Sequence, residues 1–124
     1  MRIFILEDDP NRMKLFNRTL HTHTIYHADN VKDAIKILES TDGISVLLVD
    51  HDLDHKVFVN SNESNTGYQL AKWIKTSGKN YMQIIIHSMN VVGANNIKNE
   101  LSNCTEDLQV IPFHLLIPRL AITV

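Results

Sequence analysis

Apolar and polar positions along this chain fall into short blocks with two different rhythms. Ile3-Phe4-Ile5-Leu6 is a continuous apolar run without alternation, the pattern of a strand buried on both faces, and it stops at Glu7-Asp8-Asp9. Asp9-Pro10 is a helix start: a capping carboxylate, then a proline whose missing N–H costs nothing in the first turn. Met13, Phe16 and Leu20 form one stripe behind it, which predicts a helix from about Pro10 to Leu20. Thr24-Ile25-Tyr26 reads as a second strand, and Val31, Ala34, Ile35 and Leu38 recur at helical spacing after Asp29 or Asn30 as the cap. Val46-Leu47-Leu48-Val49 is a third strand that runs into Asp50-His51-Asp52.

A polar stretch rich in Asn and Ser follows and predicts a long loop across 53–66, loosely ordered without ligand and placed to act as a lid. A third helix starts near Thr66, turns Leu70, Ala71 and Ile74 inward and ends at Gly78. Ile84-Ile85-Ile86 is a fourth strand that delivers His87-Ser88-Met89-Asn90, ahead of a helix carrying Ile97 and Leu101. Leu108 to Ile111 fits a fifth strand; the apolar tail from Pro112 to Val124, broken by Pro118, fits either a short helix or a strand.

Strands alternating with helices at this spacing imply βαβ units: a doubly wound, flavodoxin-like α/β domain with a five-stranded parallel sheet and helices on both faces. Such sheets bind ligands at the carboxyl ends of strands beside the point where strand order reverses. Glu7-Asp8-Asp9, Asp50-His51-Asp52 and His87-Ser88 all fall at such ends, so segments far apart in sequence converge in space.

With 124 residues, 44% of them hydrophobic and 21% charged, the chain has the size and make-up of one folded domain spanning 1–124. A net charge of -2 and no basic tract give it no field for duplex nucleic acid or anionic membranes. The single Cys104 excludes an intrachain disulfide and a thiolate zinc cluster. No apolar run approaches a membrane span, and the expected location is cytoplasmic.

The converging carboxylates Glu7, Asp8, Asp50 and Asp52 repel one another unless a cation sits among them, and all-oxygen ligation suits Mg²⁺ or Mn²⁺. Asp9 either joins this group or simply caps its helix. His51 and His87 titrate near neutral pH and are candidates for proton transfer or metal ligation, with Asp50 as a potential nucleophile. Ser88 can donate its hydroxyl to a phosphate oxygen or cap a turn. Asn90 and Gly93 can offer amides to an anion at the start of the fourth helix, and His55 in the long loop can reach the same place.

The opening Ile3-Phe4-Ile5-Leu6-Glu7-Asp8-Asp9-Pro10 resembles that of response-regulator receiver domains, and Leu47-Leu48-Val49-Asp50 resembles their phosphoacceptor strand. The resemblance implies an acidic pair at Glu7 and Asp8, a phosphoacceptor at Asp50 and the hydroxyl residue at Ser88. Receivers carry a lysine directly before a proline after the fifth strand, where its ammonium pairs with the phosphoacceptor. Here Val110-Ile111-Pro112 has none, and His51, His87 and the long loop are foreign to the signalling pattern.

Asp50-His51-Asp52-Leu53 together with His87-Ser88-Met89-Asn90-Val91-Val92-Gly93 resembles the divergent cyclic-phosphate-processing receiver domains. That resemblance implies a metal-dependent phosphoesterase of the cyclic phosphodiesterase type, acting on a nucleotide or RNA-derived cyclic phosphate in bacterial or phage RNA repair or defence. The alternatives are a stand-alone receiver phosphorylated on Asp50 and a non-catalytic nucleotide-binding module. The expected partner is a small nucleotide or cyclic phosphate, and the apolar tail or the fourth-helix surface leaves a homodimer open.

Overall fold

The computed structural model describes residues 1–123, so Val124 of the ambiguous tail lies outside the described residues. The strands are β1 (Arg2–Leu6), β2 (Thr24–Ala28), β3 (Ile44–Val49), β4 (Gln83–Ile86) and β5 (Leu108–Val110). They alternate with α1 (Pro10–Thr19), α2 (Val31–Ser40), α3 (Gly67–Ser77), α4 (Val91–Leu101) and α5 (Phe113–Thr123). All strand pairs are parallel, in the order β2-β1-β3-β4-β5. The order reverses between β1 and β3, so the carboxyl ends of those two neighbours flank the switch point.

The unbroken apolar runs follow from burial on both sheet faces. Phe4, Leu6, Leu47, Val49, Ile84 and Ile86 face one way and pack with α2, α3 and α4 through Leu38, Leu70, Ile74 and Ile97. Ile3, Ile5, Val46, Leu48 and Ile85 face the other way, toward Met13 and Phe16 of α1 and Leu116 and Leu120 of α5. The tail after Pro112 is therefore a helix. Phe113, Leu116, Ile117 and Leu120 recur at helical spacing against the second core, and this packing outweighs the lost backbone bond at Pro118. Among the described residues no helix is long and apolar enough to cross a membrane.

Caps place the helices at the strand ends. Asp9 accepts the N–H of Asn11 at 2.8 Å, Asn30 that of Asp33 at 2.9 Å, and Asn90 that of Gly93 at 2.9 Å. Gly67 opens α3 against the end of β3, where a Cβ would stand 2.0 Å from the carbonyl oxygen of Asp50. Only a residue without a side chain fits, because both groups in collision are backbone. Gly67→Ala is expected to cost about 3 kcal/mol of folding free energy. An unfolding midpoint in urea equal to wild type would refute this close approach.

Candidate active site

Glu7 is the residue around which the site is assembled. It leaves the end of β1 with 1% of its surface exposed. Its Oε2 accepts the N–H groups of Asp8 and Asp9, both at 3.0 Å, so the chain turning into α1 grips the carboxylate from one side. Its Oε1 lies 3.0 Å from Nε2 of His87 at the end of β4 and 3.7 Å from the Arg12 guanidinium. Burial alone would raise the Glu7 pKa; the His87 hydrogen bond and charge, the Asp9 N–H and Arg12 overcome it and hold the group below its ordinary value.

Asp50, at the end of β3, is 4% exposed and accepts the N–H of His51 at 2.8 Å. Its other oxygen faces Arg12 at 3.8 Å. Here burial prevails, reinforced by the negative charge of Glu7, and the pKa is pushed up to about 6 despite His87 and Arg12. Asp8 is less enclosed, yet burial and Glu7 still raise its pKa. One ligand atom each from Glu7, Asp50 and His87 lies within 4.8 Å of the others, a set able to hold a metal ion.

His87 has no exposed surface, and its ring meets Phe16 edge-on at 5.3 Å between centroids. Its Nδ1 has no hydrogen-bond partner among the described residues. A cavity of about 460 Å³ opens over Glu7 and Asp50, walled also by Asp8, Arg12, Asp52 and Ser88 and rimmed by His55, Val57, Phe58 and Met89; the buried His87 does not line it.

The remaining expected site residues are used differently. Asp52 accepts from Phe58 N–H at 2.6 Å on one oxygen, and from Val59 N–H at 3.1 Å and the Asn90 amide at 3.0 Å on the other. The same oxygen meets Nδ1 of His51 at 2.9 Å. Burial alone would raise its pKa, but these donors, His51 first, lower it. Its Oδ1 is committed to the loop, while Oδ2 takes only the Phe58 N–H and the residue lines the acidic cavity.

His51 is fully buried; its Nε2 meets Ser61 Oγ at 2.9 Å, so both ring nitrogens are occupied away from the cavity. Gly93 lies against this ring, where a Cβ would come within 2.4 Å of it, and gives its N–H to the Asn90 cap. Asn90 spends its amide on Asp52 and on the Val59 carbonyl at 3.0 Å. Neither Asn90 nor Gly93 therefore presents a free amide to an anion; together they fasten the loop. Ser88 stays at the cavity wall, its Oγ accepting the Asn90 N–H at 3.0 Å.

The loop is accordingly tied down rather than loose from Val59 onward. Ser61 is held by His51 and by the Asn96 amide at 2.9 Å, and Asp52 and Thr66 bridge its two ends. Its tip carries all three positive-φ non-glycine residues among the described residues: Asp54 at 60°, His55 at 58° and Phe58 at 52°. Each such residue costs on the order of 1–3 kcal/mol, and the bonds of His55 N–H to Asp8, at 2.6 Å, and of Phe58 N–H to Asp52 hold two of them in place.

Arg12 escaped the sequence reading. Its signal was a lone cation in the first turn of a helix that begins where three acids end. The guanidinium reaches Glu7, Asp50 and, at 3.9 Å, Asp9, and it lies 4.9 Å from the ring centroid of Phe113. It brings positive charge to Asp50 from α1. The position before Pro112 is Ile111, buried in the second core.

Comparison with known proteins places this geometry. The signal receiver domain of a LuxO repressor protein from Vibrio parahaemolyticus superposes with a TM-score of 0.67 at 20% identity, covering 98% of this chain and 87% of that one. The response regulator TrrA from Thermotoga maritima, solved with Mg²⁺ and BeF, gives 0.65 at 18% identity, with 96% and 97% covered. The Mn²⁺-bound form of the response regulator Rcp1 gives 0.66 at 14% identity, with 97% and 88% covered. These likenesses establish the receiver fold. No curated protein matches the sequence. The family model for the cyclic-phosphate processing receiver domain matches residues 2–103, and the chain belongs to that family.

Proposed function

We propose that the protein is a metal-dependent phosphoesterase that opens a cyclic phosphate on a nucleotide or RNA-derived molecule. The observation that carries this reading is the meeting of Glu7, Asp50 and His87 beneath a cavity that Arg12 and Ser88 also wall. The two buried carboxylates fit a divalent cation, and Glu7 and Asp50 would hold it with Asp8 at the rim, while His87 keeps its Nε2 for the hydrogen bond to Glu7. Mg²⁺ or Mn²⁺, the ions named for two of the similar receivers, supplies polarisation of the phosphoryl oxygens.

The chain's own groups supply the rest. Arg12 offsets the negative charge of the phosphate, and Ser88 offers a hydroxyl to one of its oxygens. The Glu7–His87 pair moves a proton at Nε2. A water oxygen bonds to phosphorus, one ester P–O bond opens, and the proton released by the water ends on the leaving oxygen. His51 supports the loop from below and takes no proton from the substrate.

A second reading, phosphorylation of Asp50, is favoured by the matching strand-end positions of Asp50 and Ser88. The absence of the receiver lysine speaks against it, since Ile111 fills that place with a core side chain.

Incubation with a panel of cyclic phosphates, with Mg²⁺, Mn²⁺ or chelator, is expected to give metal-dependent turnover. Stoichiometric phosphate on Asp50 without turnover would instead select the signalling reading. His87→Ala should lower turnover by roughly two to four orders of magnitude and, because the ring is buried between Glu7 and Phe16, lower the melting temperature as well. His87→Gln, which can keep a hydrogen bond to Glu7, should lose turnover with a smaller loss of stability, while His51→Ala should lower the melting temperature first. Wild-type turnover in His87→Ala would remove the proton-transfer role.

Arg12→Ala should raise KM for the cyclic phosphate by roughly tenfold or more, with Arg12→Lys recovering part of the loss. Equal kinetics in both variants would dismiss the guanidinium as a phosphate contact.

The raised pKa of Asp50 fixes the sign of a stability effect. The folded chain holds this proton more tightly than the unfolded one, so its stabilisation is complete below the ordinary value of 3.8 and is lost as pH rises through about 6. Glu7 acts in a lower window and in the opposite sense, its contribution lost as pH falls through its depressed value. In chelator, wild type should therefore lose on the order of 3 kcal/mol relative to Asp50→Asn between about pH 4 and pH 7. Adding Mn²⁺ should restore wild type and leave Asp50→Asn unmoved. Parallel pH profiles in chelator would contradict the burial of this charge.

A further inference from the structure

Phe58 stands at the rim of the acidic cavity with 76% of its surface exposed, and it lines a second cavity of about 540 Å³ on its other side. An aromatic ring is an expensive group to leave in water, and this one is also held in a backbone conformation that a bulky residue avoids. The elements that keep it there are buried and specific: Asp52 fastens the Phe58 N–H, and His51 and Asn90 fasten Asp52. Beyond the ring, the second cavity is lined by the exposed Val92, the half-buried Tyr68 and the exposed Asn60 and Asn62, whose side chains remain open to a ligand except that Asn60 Oδ1 accepts the Asn62 N–H at 2.8 Å. Asparagine amides each carry a donor and an acceptor, the pair of groups that a base edge presents.

We propose that Phe58 is a stacking platform for a nucleobase, so that the ligand is a nucleoside cyclic phosphate lying across both cavities. The phosphate sits against Arg12 and the metal-binding carboxylates, the base lies on Phe58, and its polar edge turns toward Asn60 and Asn62. This rests on the phosphoesterase reading of the acidic cavity and assigns the base of its nucleotide a specific contact, the Phe58 ring. The interlocked residues beneath the loop are positioning residues for this ring, His51 among them lining neither cavity. A stacking contact of this kind is tolerant of base identity, because every base has a π-face.

Calorimetric titration of the full chain with Mn²⁺ tests the proposal, using the hydrolysis-resistant phosphorothioate forms of an adenosine cyclic phosphate and of the corresponding ribose cyclic phosphate without a base. Wild type should bind the adenosine form about tenfold or more tightly than the base-free form. Phe58→Ala should erase that preference while leaving the base-free affinity unchanged, and Phe58→Trp should retain it. Phe58→Gly, which also relaxes the backbone, should lose the preference with no loss of melting temperature, separating the ring from the fold.

Equal binding of both ligands by wild type overturns the platform and leaves the phosphoesterase reading standing. So does a Phe58→Ala variant with both affinities unchanged, the result expected if this face meets a protein instead. Failure of wild type to bind either ligand overturns the platform together with the reading beneath it.

Discussion

Carboxylates packed together at the ends of two neighbouring strands repel one another in a place where little water remains to screen them. Glu7 and Asp50 are almost wholly enclosed, and the fold has to answer their charge at close range. It does so unevenly. Glu7 receives two backbone N–H groups and His87 and gives up its charge only at lower pH, whereas Asp50 receives one N–H and Arg12 and holds its proton to a higher pH than an ordinary aspartate. An added cation would draw the two carboxylates into one ligand set. The sheet order, the capped start of α1 and the placement of His87 all serve this juxtaposition.

A second network lies beside the first and is separate in purpose. Asp52, His51, Asn90 and Ser61 form a closed set of hydrogen bonds in which each member is spent on another or on the loop backbone. It holds the strained tip over the cavity and presents Phe58. The family's Asp-His-Asp and His-Ser-x-Asn-x-x-Gly signatures thus divide between the two networks. Asp50, Asp52 and Ser88 line the acidic cavity and His87 supports Glu7 from within the core; His51, Asn90 and Gly93 fasten the loop beside it.

The strands were legible because burial on both faces leaves an unbroken apolar run, and their ends were legible because charge cannot continue that run. The convergence of Glu7, Asp50 and His87 followed from topology alone. What could not be read was direction. A sequence shows that Asp52 and His51 are polar neighbours of Asp50, but alternate residues leaving a strand point to opposite sides, and only the fold reveals which side faces the ligand. Arg12 was hidden for the same reason, its guanidinium lying a helical turn away from the acids it serves. The final helix was obscured by Pro118, although the spacing of Phe113, Leu116 and Leu120 already carried its face.

The double attachment of His51 also governs the traffic of molecules into and out of the site. With one ring nitrogen bonded to Asp52 and the other to Ser61, the imidazole rivets the near and far arms of the loop together, so the whole segment cannot swing away as a hinged flap. Movement is confined to the few residues from Asp54 to Phe58, a length whose rearrangements fall in the nanosecond to microsecond range. A ligand of this cavity would then enter and leave past a small fast gate, its residence time set by its contacts with the walls rather than by slow opening of the protein.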